Sequence, residues 1–277
     1  MFHQKKVPKA QQPDKTPYTI HNPHTKPLTE RHWPQDYYQV VSMDPSIRNF
    51  GLRIERRYLT GSIVPLAFSR TDFAPILKAK DLAKLTQEQQ DELKLKQQQS
   101  NVQSDLFRDV TTFLKQHLTL YLESHIFIIE RQLPHNYKAV RLSQHVISYL
   151  SIVLADTPLL PMIVEVDSKL KSRQLSCPKG MNERQTKLWL IDKAKELSQL
   201  RGDTYSYDMI HKAKKKDDLA DTICQVEAWF SFVGLPLSQP VPPPPVVATP
   251  AIPKAAPVLK IVAPAPITTP TLKIITE

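Results

Sequence analysis

Hydrophobic and polar positions along the chain change period several times, and each change marks a predicted element. Residues 38–44 (YQVVSMD) form a short apolar run that ends in an acid, and 50–58 (FGLRIERRY) alternates with period two. Residues 63–73 give a third strand-like run, so the stretch from 38 to 73 predicts a β-meander of three strands. From 75 to 122 the chain is rich in Lys, Gln, Glu and Leu and has no Gly or Pro after Pro75, which predicts helix. The nearly all-polar KLTQEQQDELKLKQQQS within it predicts a solvated helical insertion over 75–105. Residues 125–130 (HIFIIE) have the composition of a buried central strand. A helix is predicted over 137–154, a strand over 162–166 (MIVEV), and an amphipathic helix over 183–200 with Leu190, Ala194 and Leu197 on one side. The last helix, 218–232, carries a stripe of Leu219, Ile223, Val226 and Phe230. The order β-β-β-α-β-α-β-α-α predicts an α/β domain, a mixed five-stranded sheet flanked by helices.

Proline sets the limits of that domain. Of 25 prolines in 277 residues, 6 lie in 1–36 and 12 in 235–277, leaving 7 for the 198 residues between. The middle, 37–234, is the size of one globular domain. The N-terminal 36 residues predict a flexible basic arm, and 235–277 a disordered, polyproline-like tail that could tether the domain or bind a protein partner. The 5 glycines follow no collagen period. No spacing repeats itself, and the longest apolar run is far too short to span a bilayer.

Charge and cysteine narrow the class. The net charge of +10 is spread as +3 over 1–36, +5 over the middle and +2 over the tail, which points to a polyanionic partner, nucleic acid or an acidic membrane surface. Cys177 and Cys224 stand alone, with no CxxC or Cys/His cluster for zinc. With so few cysteines, a reducing, intracellular compartment is the expectation; the N-terminus also lacks the apolar segment of a secretory signal and makes a poor mitochondrial transit peptide.

Four carboxylates stand out by position. Asp44 and Glu130 end predicted strands, and Asp218 and Asp221 open the last helix, about 60° apart around its axis. Such acids on rigid elements suit a hard divalent cation such as Mg²⁺, which takes carboxylate oxygens and supports phosphodiester hydrolysis. Each acid also has a plainer reading. An Asp before Pro45 is a turn residue, and acids in a first helical turn favour the macrodipole. Glu130 resists that reading, because an acid directly after IFII is costly to bury without a cation. Spacing leaves Asp217 and Asp218 equally able to face a metal beside Asp221.

The motifs resemble those of the RuvC-like Holliday junction resolvases, the poxviral and yeast mitochondrial types more than the bacterial one. SMDPSIRNFG (42–51) is similar to the first-strand signature, an apolar run ending in Asp with a Gly several residues later. IIERQ (128–132) resembles the second acidic strand, AVRLSQHV (139–146) the helix after it, and KKDDLADTI (215–223) the closing Asp-x-x-Asp helix. The resemblance spans about residues 38–233, and its alignment through Leu219 and Ala220 selects Asp218 over Asp217. It implies an RNase H-like fold, a homodimer, and Mg²⁺-dependent paired nicking of four-way DNA junctions, with Mn²⁺ able to substitute. Asp44, Glu130, Asp218 and Asp221 would be the metal-binding catalytic acids. Supporting lysines would be Lys169 or Lys171 in DSKLKSR, and Lys187 in the next helix. Ser46 and Ser143, where the family carries Gly, and the 75–105 insertion depart from the pattern.

The basic residues fit a DNA substrate. Arg131, Lys138 and Arg141 follow Glu130, and Lys212 with Lys214, Lys215 and Lys216 precedes the acidic helix, so cations flank the carboxylates on both sides. For Lys214–Lys216 the plainer reading is a solvated loop. Two other functions remain open: the same fold acting on an RNA–DNA hybrid or as a transposase-like enzyme, and a non-catalytic DNA-binding protein. A large DNA virus is the expected source, with a mitochondrial enzyme as the alternative.

Overall fold

The computed structural model describes residues 16–22, 36–73, 85–91, 104–158, 160–235 and 237. Its strands are β1 (Tyr18–Ile20), β2 (Tyr37–Asp44), β3 (Phe50–Tyr58), β4 (Ile63–Thr71), β5 (Ile126–Glu130) and β6 (Met162–Val166). Its helices are α1 (Ser104–Lys115), α2 (Leu118–Leu122), α3 (Tyr137–Val153), α4 (Leu170–Gln174), α5 (Glu183–Leu200), α6 (Thr204–Lys212) and α7 (Asp217–Val233). The strands form one sheet in the order β1-β6-β5-β2-β3-β4. β2, β3 and β4 are the antiparallel meander, while β5 pairs parallel to β2 and β6 parallel to β5. These strands, with helices on both faces, make the mixed α/β sheet that the sequence led us to expect.

The sheet has six strands where five were expected. The additional strand, β1, falls inside the stretch read as a flexible arm and pairs antiparallel with β6. Three residues beside Pro17 are too few to show a period, but tertiary contacts hold them. The Tyr18 ring meets the Trp229 and Phe232 rings edge-on at 5.3 and 5.7 Å. The Asp167 N–H donates to Pro17 O at 2.8 Å, and Asn22 Oδ1 accepts from the Ile163 N–H at 3.0 Å. Residues 1–15 and 23–35 lie outside the described residues. So do most of the 75–105 insertion and all of the tail from 238 onward. Leu235, expected to begin that tail, is buried among Val226, Trp229 and Phe230. Its N–H donates to Phe230 O at 3.0 Å once Gly234, at φ 71°, has turned the chain out of α7.

The period-two pattern of the strands divides the core between the two faces of the sheet. Val41, Met43, Leu52, Ile54, Phe127 and Ile129 face α1–α3, where they meet Val110, Phe113, Leu142 and Leu150. Tyr38, Val40, Ile126 and Ile128 face the other way, onto Leu170 of α4 and Val226, Trp229 and Phe230 of α7. α7 is buried on nearly all sides from Thr222 to Phe230, not on one stripe alone, because α4 and α5 cover the side turned away from the sheet. Under the same layers lies a buried ion network. Glu55 pairs with Arg53 and Arg57, Arg53 reaches Asp203 at 2.9 Å, and Glu227 joins Arg57 to Arg201.

Candidate active site

Strand parity decides where the acids point. Asp44 continues the Val40–Ser42 side of β2, and Glu130 the Ile126–Ile128 side of β5, so both carboxylates face α7. The β2–β5 ladder ends at the pair Met43–Ile129. Beyond it Asp44 pairs with Gly51 on β3 and Glu130 with Val166 on β6, so the sheet parts between the two acids. Asp221, one turn into α7, fills that gap. Ligand oxygens of Asp44, Glu130 and Asp221 all lie within 4.8 Å of one another. Asp218, on the turn before, stands at the margin of the cluster. It adds to the negative field at Asp44, and its Oδ2 is buried without a hydrogen bond. Asp217 turns away toward Lys215, 4.0 Å distant.

Lys171 is the counter-charge. It is 4% exposed, and its ammonium is ion-paired with Glu130 and, at 2.8 Å, with Asp221. α4 holds it there because the neighbouring Leu170 is anchored in the core against α7. Burial alone would lower the Lys171 pKa, but the carboxylates of Asp221, Glu130 and Asp44 raise it. One cation does not balance four acids. Burial, with the charges of Glu130 and Asp221 added, holds the Asp44 carboxyl well above the ordinary range. Glu130 is also raised, by burial, although Lys171 opposes the shift. Asp218 is pushed up to about 6 by burial and by Asp217. A converging set of hard oxygen donors, short of positive charge and with one orphaned carboxylate oxygen, fits a divalent cation of the Mg²⁺ type.

The expected basic residues do not gather in one place. Lys169, Lys171 and Lys187 line a cleft of about 1200 Å³ whose floor includes Glu130 and Asp221. Arg131 is engaged on the β1 side, donating to Thr19 Oγ1 at 2.6 Å and lying 3.9 Å from Glu165. Arg141, on α3, lies over the Phe107 ring of α1, 5.7 Å from its centroid. Lys138 is half-buried at the start of α3. Lys214 and Lys215 are exposed and Lys216 half-buried just before α7.

Several residues that shape the site were not picked out from the sequence. Gln132 donates from Nε2 to Asp44 Oδ1 and to Glu130 O, both at 3.3 Å, so it links the two acidic strand ends. Its signal was only its place in IIERQ, two residues after Glu130. Arg173 of α4 and Lys179 of the α4–α5 connection join the cleft lining. Arg70, on β4, acts on Asp218 from the opposite side and donates to Asn49 Oδ1 at 2.7 Å. Gly51, by contrast, is the Gly that the first-strand motif had already marked: it lets α7 descend onto β3, since a Cβ there would lie 2.9 Å from Asp218 O and 3.0 Å from Thr222 Cγ2.

Comparison with known proteins adds the following. No family model matches the chain. Uncharacterized protein 97L of invertebrate iridescent virus 3 is 30% identical over 111 residues, 40% of this chain and 50% of that protein. Uncharacterized protein 170L of invertebrate iridescent virus 6 is 26% identical over 140 residues, 44% of this chain and 57% of that one. The chain therefore spans about half the length of the curated relatives it matches. Among solved structures, the yeast mitochondrial Holliday junction resolvase Ydc2 gives a TM-score of 0.45 at 15% identity, over 73% of this chain and 83% of that one. T. thermophilus RuvC in complex with Holliday junction substrate gives 0.42 at 11% identity, over 72% and 99%. Among the described residues, no helix is long and apolar enough to cross a membrane.

Proposed function

We propose that this chain is a structure-selective DNA endonuclease that resolves four-way junctions by paired, Mg²⁺-dependent phosphodiester hydrolysis. The observation that carries the reading is the convergence of Asp44, Glu130 and Asp221, the last two paired with Lys171 and lining a cleft that also carries Lys169 and Lys187. Asp44, Glu130, Asp218 and Asp221 would hold Mg²⁺, or Mn²⁺ in its place, and the bound ion would supply an activated water and neutralise charge on the phosphate. The chain's own residues do the rest. Lys171 holds the Glu130 and Asp221 carboxylates close together through its two ion pairs. Gln132 orients the Asp44 carboxylate through Oδ1. Lys169 and Lys187 offer cations to the phosphates on one side of the acids, and Lys215 and Arg70 lie on the side of Asp218. The motif order between 42 and 223, which resembles that of junction resolvases, supports branched DNA as the substrate.

Symmetrical nicking of a junction needs two sites, so we assign the active form to a homodimer. The iridescent-virus relatives support a viral origin, with action where viral DNA is replicated. The test is cleavage of a four-way junction, a linear duplex and an RNA–DNA hybrid side by side in Mg²⁺. Preference for the junction is expected. Preference for the hybrid would transfer the site to another RNase H-like nuclease, and junction binding without any cutting would make the chain a DNA-binding protein.

A further inference from the structure

We propose that Gln225 is a positioning residue that sets the spacing of Asp44 and Glu130, and through it the affinity of the site for a divalent cation. This rests on the reading of the acidic cluster as a metal site. Gln225 lies one turn beyond Asp221, on the same side of α7. Asp221 enters the gap between the parting strand ends, and Gln225 reaches the last closed rung beneath it. Its Nε2 donates to Ile128 O at 2.9 Å and to Met43 O at 3.3 Å. Those carbonyls belong to the residue before Asp44 and to the second residue before Glu130. One amide group therefore spans the two strands at the rung from which both acids diverge.

The chemistry fixes the orientation of the amide. Both partners are acceptors, so the nitrogen must face them, and Oε1 is left buried without a hydrogen bond. Gln132 links the same strand ends from the other direction, through Asp44 Oδ1 and Glu130 O. Gln225 differs because it ties the strand ends to α7, so the third carboxylate, Asp221, moves with the other two. Groups that orient metal ligands in this way typically change metal affinity by roughly 10–100-fold when removed.

The test compares Gln225→Met, which keeps the shape but has no N–H, with Gln225→Asn, which shortens the reach, in the full-length chain. Val226→Ala serves as a control for loss of α7 packing, since Val226 is buried in the core. Calorimetric titration with Mg²⁺ and Mn²⁺ is read beside the melting temperature and the kcat and KM for junction cleavage. The expected result is metal binding weakened roughly 10–100-fold in Gln225→Met, with kcat reduced, KM for DNA unchanged and an intermediate effect in Gln225→Asn. Val226→Ala should lose melting temperature but keep its metal affinity. Unchanged metal binding in Gln225→Met, a parallel loss in Val226→Ala, or failure of both Gln225 variants to fold would each overturn the proposal. Asp44→Asn in the same titration separates the two levels. If it binds metal as the wild type does, the metal site itself is refuted; if it binds weakly while Gln225→Met is normal, only the role of Gln225 is.

Discussion

Gly51 is the cross-strand partner of Asp44, and a Cβ at Gly51 would lie only 2.9 Å from the Asp218 carbonyl oxygen. The absence of a Cβ therefore sets how close the acidic helix comes to the acidic strand. Gly51→Ala should force α7 outward, at a cost of about 1–3 kcal/mol for overpacking. We expect urea unfolding at lower concentration and weaker Mg²⁺ binding in the folded variant. Wild-type metal affinity in Gly51→Ala would show that this close approach does not shape the site.

Lys171 makes a separate prediction. Replacing it with Met leaves Glu130 and Asp221 facing each other without their cation, which should cost about 3 kcal/mol, the low end for breaking a buried pair. The loss should be largest without metal. Thermal melts with and without Mg²⁺ should therefore show a larger stabilisation by Mg²⁺ in Lys171→Met than in the wild type. An equal or smaller shift would mean that Lys171 and the metal do not share the same carboxylates.

The raised carboxylates predict the direction of the pH dependence. Unfolded Asp and Glu titrate near about 3.9 and 4.3, whereas Asp44 and Glu130 are raised in the folded chain and Asp218 stands at about 6. The folded state thus binds these protons more tightly, and it loses stability as pH rises through the folded pKa values. Melting temperature without metal should be higher at pH 5.5 than at pH 8, and Asp44→Asn or saturating Mg²⁺ should reduce the difference. Glu55 acts in the opposite sense. Burial would raise its pKa, but Arg53, Arg57 and Arg201 hold it below the ordinary range. Its stabilisation is present above about pH 4.3 and is lost as pH falls further. A melting temperature that rises steadily from pH 5.5 to 8 without metal would contradict these assignments.

The residues of β3 show how far the sequence could be read. FGLRIERRY has the period of a strand, and its apolar side, Phe50, Leu52 and Ile54, enters the core as the pattern implies. The charged side, Arg53, Glu55 and Arg57, would ordinarily face water, yet it is buried because α5, α6 and α7 cover it and bring Arg201, Asp203 and Glu227 to match. Nothing local in the sequence carries that information. The same holds for β1, whose three residues depend on Trp229 and Phe232, and for Gln225, whose partners lie 97 and 182 residues away. Asp44 and Glu130 were legible because each ends an apolar run. The choice of Lys171 over Lys169 needed α4, a five-residue helix too short to show a period.

That buried network is itself testable. Glu55→Gln leaves Arg53 and Arg57 without the carboxylate they share, and should cost about 3–5 kcal/mol in urea unfolding. A change below about 1 kcal/mol would mean that the neighbouring acids, Asp203 and Glu227, suffice.

The central claim is that these acids cut branched DNA. Its most direct test is cleavage of a synthetic four-way junction by the full-length chain as Mg²⁺ is titrated, with Asp44→Asn and Glu130→Gln run beside the wild type. We predict symmetrical paired nicks that appear only with the metal. Each substitution should reduce them by more than the roughly 10–100-fold that loss of an outer-shell partner costs, while the variants still bind the junction. Cleavage that persists in both variants, or that proceeds without a divalent cation, would contradict the account.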